Sequence, residues 1–92
     1  MNRPTYDRTF HPSGYLKQLT CYIPEMNVRK IVEYYDNGAV KRMEVCLFDV
    51  ANKKVLATFR TNCNGYLLEI GKLNVTPERR ARALGMLEYR VV

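Results

Sequence analysis

Nine arginines and a single histidine set the chemical repertoire of this chain. His11 stands between Phe10 and Pro12 with no Ser, Cys or carboxylate at triad-like spacing, and neither a Gly-rich phosphate loop nor a paired-carboxylate motif accompanies it. Cys21, Cys46 and Cys63 are an odd number at unrelated spacings, so a zinc site would lack both a Cys-x-x-Cys pair and a second histidine. Cys21 and Cys46 fit better as small buried hydrophobes in a reducing compartment. The chain is therefore expected to bind rather than to catalyse, with no metal, cofactor or small-molecule substrate. Guanidinium groups suit that task, because each presents a planar fork to a carboxylate or phosphate.

Fifteen Lys and Arg against nine Asp and Glu leave a formal charge of +6, with a sequence pI near 9.4. An excess of this size points to a polyanionic or acidic partner. One cationic set is Arg79, Arg80, Arg82 and Arg90; a second is Arg29 and Lys30 with Lys41 and Arg42, which a hairpin would bring onto adjacent strands. Tyrosines at 6, 15, 22, 34, 35, 66 and 89 add flat rings with polar tips that can stack on bases or anchor an interface. The candidate partner-binding residues are Arg29, Lys30, Arg42, Tyr66, Arg79, Arg80, Arg82 and Arg90. Each has a plainer alternative. The arginines can form a solvated helix face, Arg42 can pair with Glu33, Lys30 and Lys41 can snorkel at the core edge, and most tyrosines can be packing residues.

Ninety-two residues with a 47% apolar fraction supply one modest core, hence one domain over 1–92. No apolar run approaches about eighteen residues, and Met1-Asn-Arg-Pro-Thr-Tyr6 lacks the apolar stretch of a signal peptide, so a soluble protein with no membrane association is expected. Residues 1–14 show no periodicity and read as an extended N-terminal arm. A strand is expected over 15–23, closed by Pro24. Two apolar runs, 28–35 and 39–48, then flank Asp36-Asn37-Gly38, and Asn-Gly between such runs predicts a hairpin with a type I′ turn. That register sets Tyr35 against Val40, Glu33 against Arg42 and Ile31 against Glu44, with Val28, Val32, Met43 and Leu47 on the other face. A helix from Glu25 competes, because Val28, Ile31, Val32 and Tyr35 also share one helical face.

Further strands are expected over 54–61, with Val55, Ala57 and Phe59 on one face, and over 66–70 after a turn at 62–65; a tight connection at 51–54 and a link over 71–75 join these elements. Thr76-Pro77-Glu78 supplies an N-cap, a proline at the first helical position and an acid near the positive end of the dipole. A helix over 77–89 follows, with Leu84, Leu87 and Val91 beside Ala81 as its apolar stripe and Arg79, Arg82, Met86 and Arg90 outward. The fold class is α+β: an antiparallel sheet of four or five strands with a C-terminal helix packed on one face.

Glu33-Tyr-Tyr-Asp-Asn-Gly38 followed by Val40-Lys41 resembles one unit of the hairpin repeats related to MORN motifs. From Asn2-Arg-Pro-Thr-Tyr-Asp-Arg8 through Tyr34-Tyr-Asp-Asn-Gly38 to Glu88-Tyr-Arg-Val-Val92, the whole chain is similar to phage anti-CRISPR proteins that inhibit the type I-F surveillance complex. The resemblance implies a monomeric, stoichiometric inhibitor in the cytoplasm of the infected bacterial host. Such a protein would contact backbone and tail subunits together with crRNA and so keep target DNA from hybridising. The runner-up is a small basic DNA- or RNA-binding regulator, which suits counterion release. A third reading is an endoribonuclease toxin, for which Glu88-Tyr89-Arg90 provides Tyr and Arg near the C-terminus.

Overall fold

The computed structural model describes residues 3–49, 54–62, 64–70 and 75–90. Six strands, β1 Thr5–Phe10, β2 Leu16–Ile23, β3 Val28–Tyr34, β4 Val40–Asp49, β5 Lys54–Thr61 and β6 Leu67–Ile70, form one antiparallel sheet in sequential order. The helix α1, Pro77–Leu84, packs on one face. The class is the α+β arrangement expected, but with six strands rather than four or five. The additional strand lies in the stretch expected to be an arm. Residues Thr5–Phe10 pair with β2 from Thr5 opposite Tyr22 to Phe10 opposite Leu16. All six residues of β1 are exposed, so no burial pattern marks the strand, and its backbone ladder with β2 places it at the sheet edge.

Alternation along the strands separates two faces. Val28, Val45, Leu47, Ala57 and Phe59 point beneath the helix, where Ala83 and Leu87 complete the buried cluster. Phe59 lies opposite Val45 and Ala57 opposite Leu47, as the alternation predicts. Val55 does not share their face in practice, because the register shifts between Leu47 and Phe48 and leaves it exposed. Burial of a side chain such as Phe59 contributes about 1.5–3 kcal/mol, so these central residues dominate the stability of so thin a core.

Between β3 and β4 the ladder sets Glu33 against Arg42, Ile31 against Glu44, Val32 against Met43 and Val28 against Leu47. These pairs match the expected register. The turn differs. Gly38 N–H donates to the Tyr35 carbonyl at 3.0 Å and Tyr35 N–H to the Ala39 carbonyl at 2.8 Å, while only Gly38 of the turn has positive φ, at 91°. This is a three-residue loop with the glycine in a bulge rather than a two-residue type I′ turn, and it shifts Val40 opposite Tyr34 instead of Tyr35. Upstream, the competing helix is confined to a single 3₁₀ turn, Pro24–Met26, ended by Asn27 in the left-handed region at φ 52°.

Thr76 Oγ1 accepts from Arg79 N–H at 3.2 Å and Pro77 opens α1, as its sequence predicts. The helix ends at Leu84 rather than near residue 89. After Gly85, Met86 N–H reaches the Ala83 carbonyl and Leu87 N–H the Leu84 carbonyl, which tightens the last turn and redirects the chain. Its buried side is correspondingly Ala83 with Leu84, Met86 and Leu87, whereas Ala81 is exposed. Met86, expected outward, packs against the core because the helix has already ended. The connection at 51–53, most of the link over 71–75, Cys63 and Val91 lie outside the described residues.

Candidate nucleic-acid interface

Three hairpin loops project from the same end of the sheet, because odd-numbered connections in an antiparallel meander all fall on one side. Each closes by the same pair of backbone bonds. His11 N–H donates to the Tyr15 carbonyl and Gly14 N–H to His11; Tyr35 and Gly38 repeat the pattern with Ala39 and Tyr35, and Asn62 and Gly65 with Tyr66 and Asn62. Gly14, Gly38 and Gly65 all take positive φ, between 84° and 94°. Loop side chains fix the geometry further, since Asn37 Oδ1 accepts from Ala39 N–H and Asn62 Oδ1 from both Asn64 and Tyr66 N–H.

The loops deliver aromatic rings and cations to one edge. Tyr15, Tyr35 and Tyr66 are exposed. Tyr15 lies over Gly38, Ser13 Oγ donates to the Asp36 carbonyl and His11 Nε2 bonds the Tyr34 carbonyl at 2.9 Å, which ties the first loop to the second. Lys41 stands 5.9 Å from the Tyr35 ring centroid. Beside it, a cleft of about 360 Å³ is lined by Lys41, Arg42, Asn62, Asn64, Glu88 and Arg90, among others. Arg90 is held there by its backbone: its N–H donates to the Gly65 carbonyl at 2.7 Å and it bridges Tyr66 in parallel fashion. Neighbouring loops along this edge are two strands, or roughly 10 Å, apart.

Electrostatics at this edge centre on Glu33. Arg42 Nη2 donates to Glu33 Oε1 at 2.7 Å, and this bond lowers the carboxyl pKa against the opposing effect of partial burial. The positive fields of Arg42, Lys41 and Lys17 lower it further. Glu33 in turn raises the Arg42 pKa. Arg42 is thus largely neutralised, while Lys41 and Arg90 have no ion-pair partner among the described residues.

Of the eight candidate residues, Arg42, Tyr66 and Arg90 come together at this edge. The others do not join them. Arg29 and Lys30 point to opposite faces, and Arg29, opposite Cys46, is about 13 Å along the sheet from Arg42. Arg29 instead lays its guanidinium 5.2 Å from the Phe48 ring centroid, with Phe48 edge-on to Tyr22. Lys30 lines an apolar groove on the helix side. Arg79 donates to the Phe48 carbonyl at 3.3 Å, Arg80 pairs with Glu69, and Arg82 lines a separate cleft with Arg79 and Glu25. Of the cationic set Arg79, Arg80, Arg82 and Arg90, two members, Arg79 and Arg80, are thereby engaged by the sheet.

Tyr15, Tyr35 and Lys41 belong to the edge but are missing from the eight candidates. Their signal was the recurrence of one loop pattern, His11-Pro-Ser-Gly-Tyr15, Tyr35-Asp-Asn-Gly-Ala39 and Asn62-Cys-Asn-Gly-Tyr66. Among the described residues, no three His, Cys, Asp or Glu side chains gather to hold a metal ion, and no helix is long and apolar enough to cross a membrane. No protein-family model, curated protein or solved structure matches the chain.

Proposed function

We propose that this chain is a non-catalytic inhibitor of a crRNA-guided surveillance complex, of the kind represented by the type I-F anti-CRISPR proteins. It binds through protein and crRNA contacts and keeps target DNA from hybridising. The observation that carries this reading is the loop edge, where three exposed tyrosines stand beside Lys41 and Arg90, which have no ion-pair partner among the described residues. Stacking of a base on an aromatic ring contributes about 1–3 kcal/mol, and cations along the same line attract phosphates. Exposed rings need unstacked bases, which favours a single strand such as an accessible guide over a duplex. The rigid loops also lower the cost of ordering on binding. In this reading the protein works as a monomer in the host cytoplasm, where its target assembles.

The test is a target-DNA binding assay with purified surveillance complex, titrated with the protein. Wild type is expected to block target binding at stoichiometric concentration. The Lys41→Glu/Arg90→Glu double variant should need at least about 10-fold more protein, whereas Arg82→Glu, exposed and away from the edge, should stay within about twofold. Unchanged target binding in the presence of wild-type protein rejects the inhibitor reading. Tight, steeply salt-dependent binding to naked RNA or DNA alone would assign the chain to the regulators instead.

A further inference from the structure

The helix covers only part of its face of the sheet. It packs over Val45, Leu47, Ala57 and Phe59, and the β1–β3 portion of the same face is left as a groove of about 430 Å³. Leu19, Cys21, Ile23, Val32 and Tyr34 form much of its floor, Tyr6 is at the outer edge, and Met86 stands as the wall shared with the helical layer. Three strands span roughly 10 Å from first to last, which matches the diameter of one α-helix. Among the described residues, Lys30 is the one charged residue lining the groove, and Arg8, opposite Leu19 on the same face, stands 5.6 Å from the Tyr6 ring centroid at its outer edge. Among the described residues Lys30 has no ion-pair partner, and no acid lines the groove with it.

We infer that this groove docks an amphipathic helix of a protein partner, lying beside α1, whose apolar stripe carries a carboxylate aimed at Lys30. A half-covered sheet face completes its layer most simply with a second helix, as in two-layer α+β packing. The Lys30 ammonium selects the charge. An apolar stripe alone would bury Lys30 without compensation, whereas a glutamate or aspartate at the centre of the stripe satisfies it. Specificity therefore arises from a single complementary charge within an otherwise apolar contact. This inference stands apart from the RNA-binding edge: the groove lies on the helix-side face, and its test contains no nucleic acid.

The probe is a synthetic amphipathic peptide of about four helical turns, with leucines at i, i+3, i+4 and i+7 and one central glutamate. Isotope-labelled full-length protein is titrated with it. Saturable amide shifts are expected at Leu19, Cys21 and Ile23, together with protection of the Cys21 thiol from alkylation. Lys30→Glu should weaken the peptide by about 10-fold or more, and a peptide with lysine in place of the glutamate should recover the loss. Lys30→Gln, which keeps the apolar stem, should bind both peptides alike. Absence of groove shifts overturns the inference, as does binding insensitive to peptide charge. Groove shifts produced by raising the concentration of the free protein, or by phosphatidylcholine vesicles, place a second copy or a lipid surface there and overturn it as well.

Discussion

Replacing each loop glycine by alanine separates two costs that the geometry keeps distinct. Gly14, Gly38 and Gly65 have φ of 94°, 91° and 84°, so an L-residue at any of them incurs a backbone penalty of about 1–2 kcal/mol. Their surroundings differ. A Cβ at Gly14 meets nothing within 4 Å, and one at Gly65 meets Arg90 at 3.5 Å or beyond, an ordinary contact. A Cβ at Gly38 would sit 3.1 Å and 3.2 Å from two carbons of the Tyr15 ring. The ring must move by a few tenths of an ångström or leave, adding about 0.5–1 kcal/mol for the lost contact. Gly14→Ala and Gly65→Ala should therefore lose similar stability, and Gly38→Ala should lose more. Urea denaturation measures the series directly, and each kcal/mol lowers Tm by about 4–8 °C in a domain of this size. In a Tyr15→Ala background the excess at Gly38 should vanish while the backbone cost remains. Equal losses at all three glycines, or an excess at Gly38 that survives without the Tyr15 ring, would refute the argument.

Acid titration tests the Glu33–Arg42 bridge. Because Arg42 lowers the Glu33 pKa in the folded state from its ordinary 4.5, the bridge contributes above that value and is lost as pH falls through the lowered one. With Arg42 about two-fifths exposed, the contribution should stay under about 1 kcal/mol. The stability difference between wild type and Glu33→Gln should accordingly hold at neutral pH and shrink below about pH 4.5, as read from urea midpoints. Gly85→Ala should act in the opposite sense to the loop substitutions. Gly85 has φ −65° and a Cβ there meets only ordinary contacts, so alanine should stabilise the helix end by about 0.4–1 kcal/mol, visible as a raised Tm.

The candidate edge was harder to read than the fold. Arg42, Tyr66 and Arg90 were recognisable by residue type, but their convergence depends on a C-terminal segment that leaves the helix at Gly85 and returns to bond Gly65. Arg29 and Lys30, adjacent in the chain, belong to different surfaces because successive strand residues face opposite ways. Arg79 and Arg80 are attractive as free cations until Phe48 and Glu69 are seen beside them.

Local chemistry was sufficient for the central hairpin, since Asn37-Gly38 favours a reversal there and the pairing of Glu33 with Arg42 follows from strand alternation. It was sufficient too for the start of α1, where Thr76, Pro77 and Glu78 act on the first turn alone. Three features needed the assembled molecule: the β1 edge strand, the early end of α1 and the alignment of the hairpin loops. The strand Thr5–Phe10 buries no face, so its place depends on a ladder with a neighbour that the linear pattern does not name. The helix gives way after Gly85 to a chain path in which Leu87 enters the core and Arg90 meets Tyr66. The loops share an edge only because the strands follow one another in order across the sheet. Turn and cap energies reach a few residues along the chain, whereas these contacts join residues far apart in it, and only tertiary packing brings them within range.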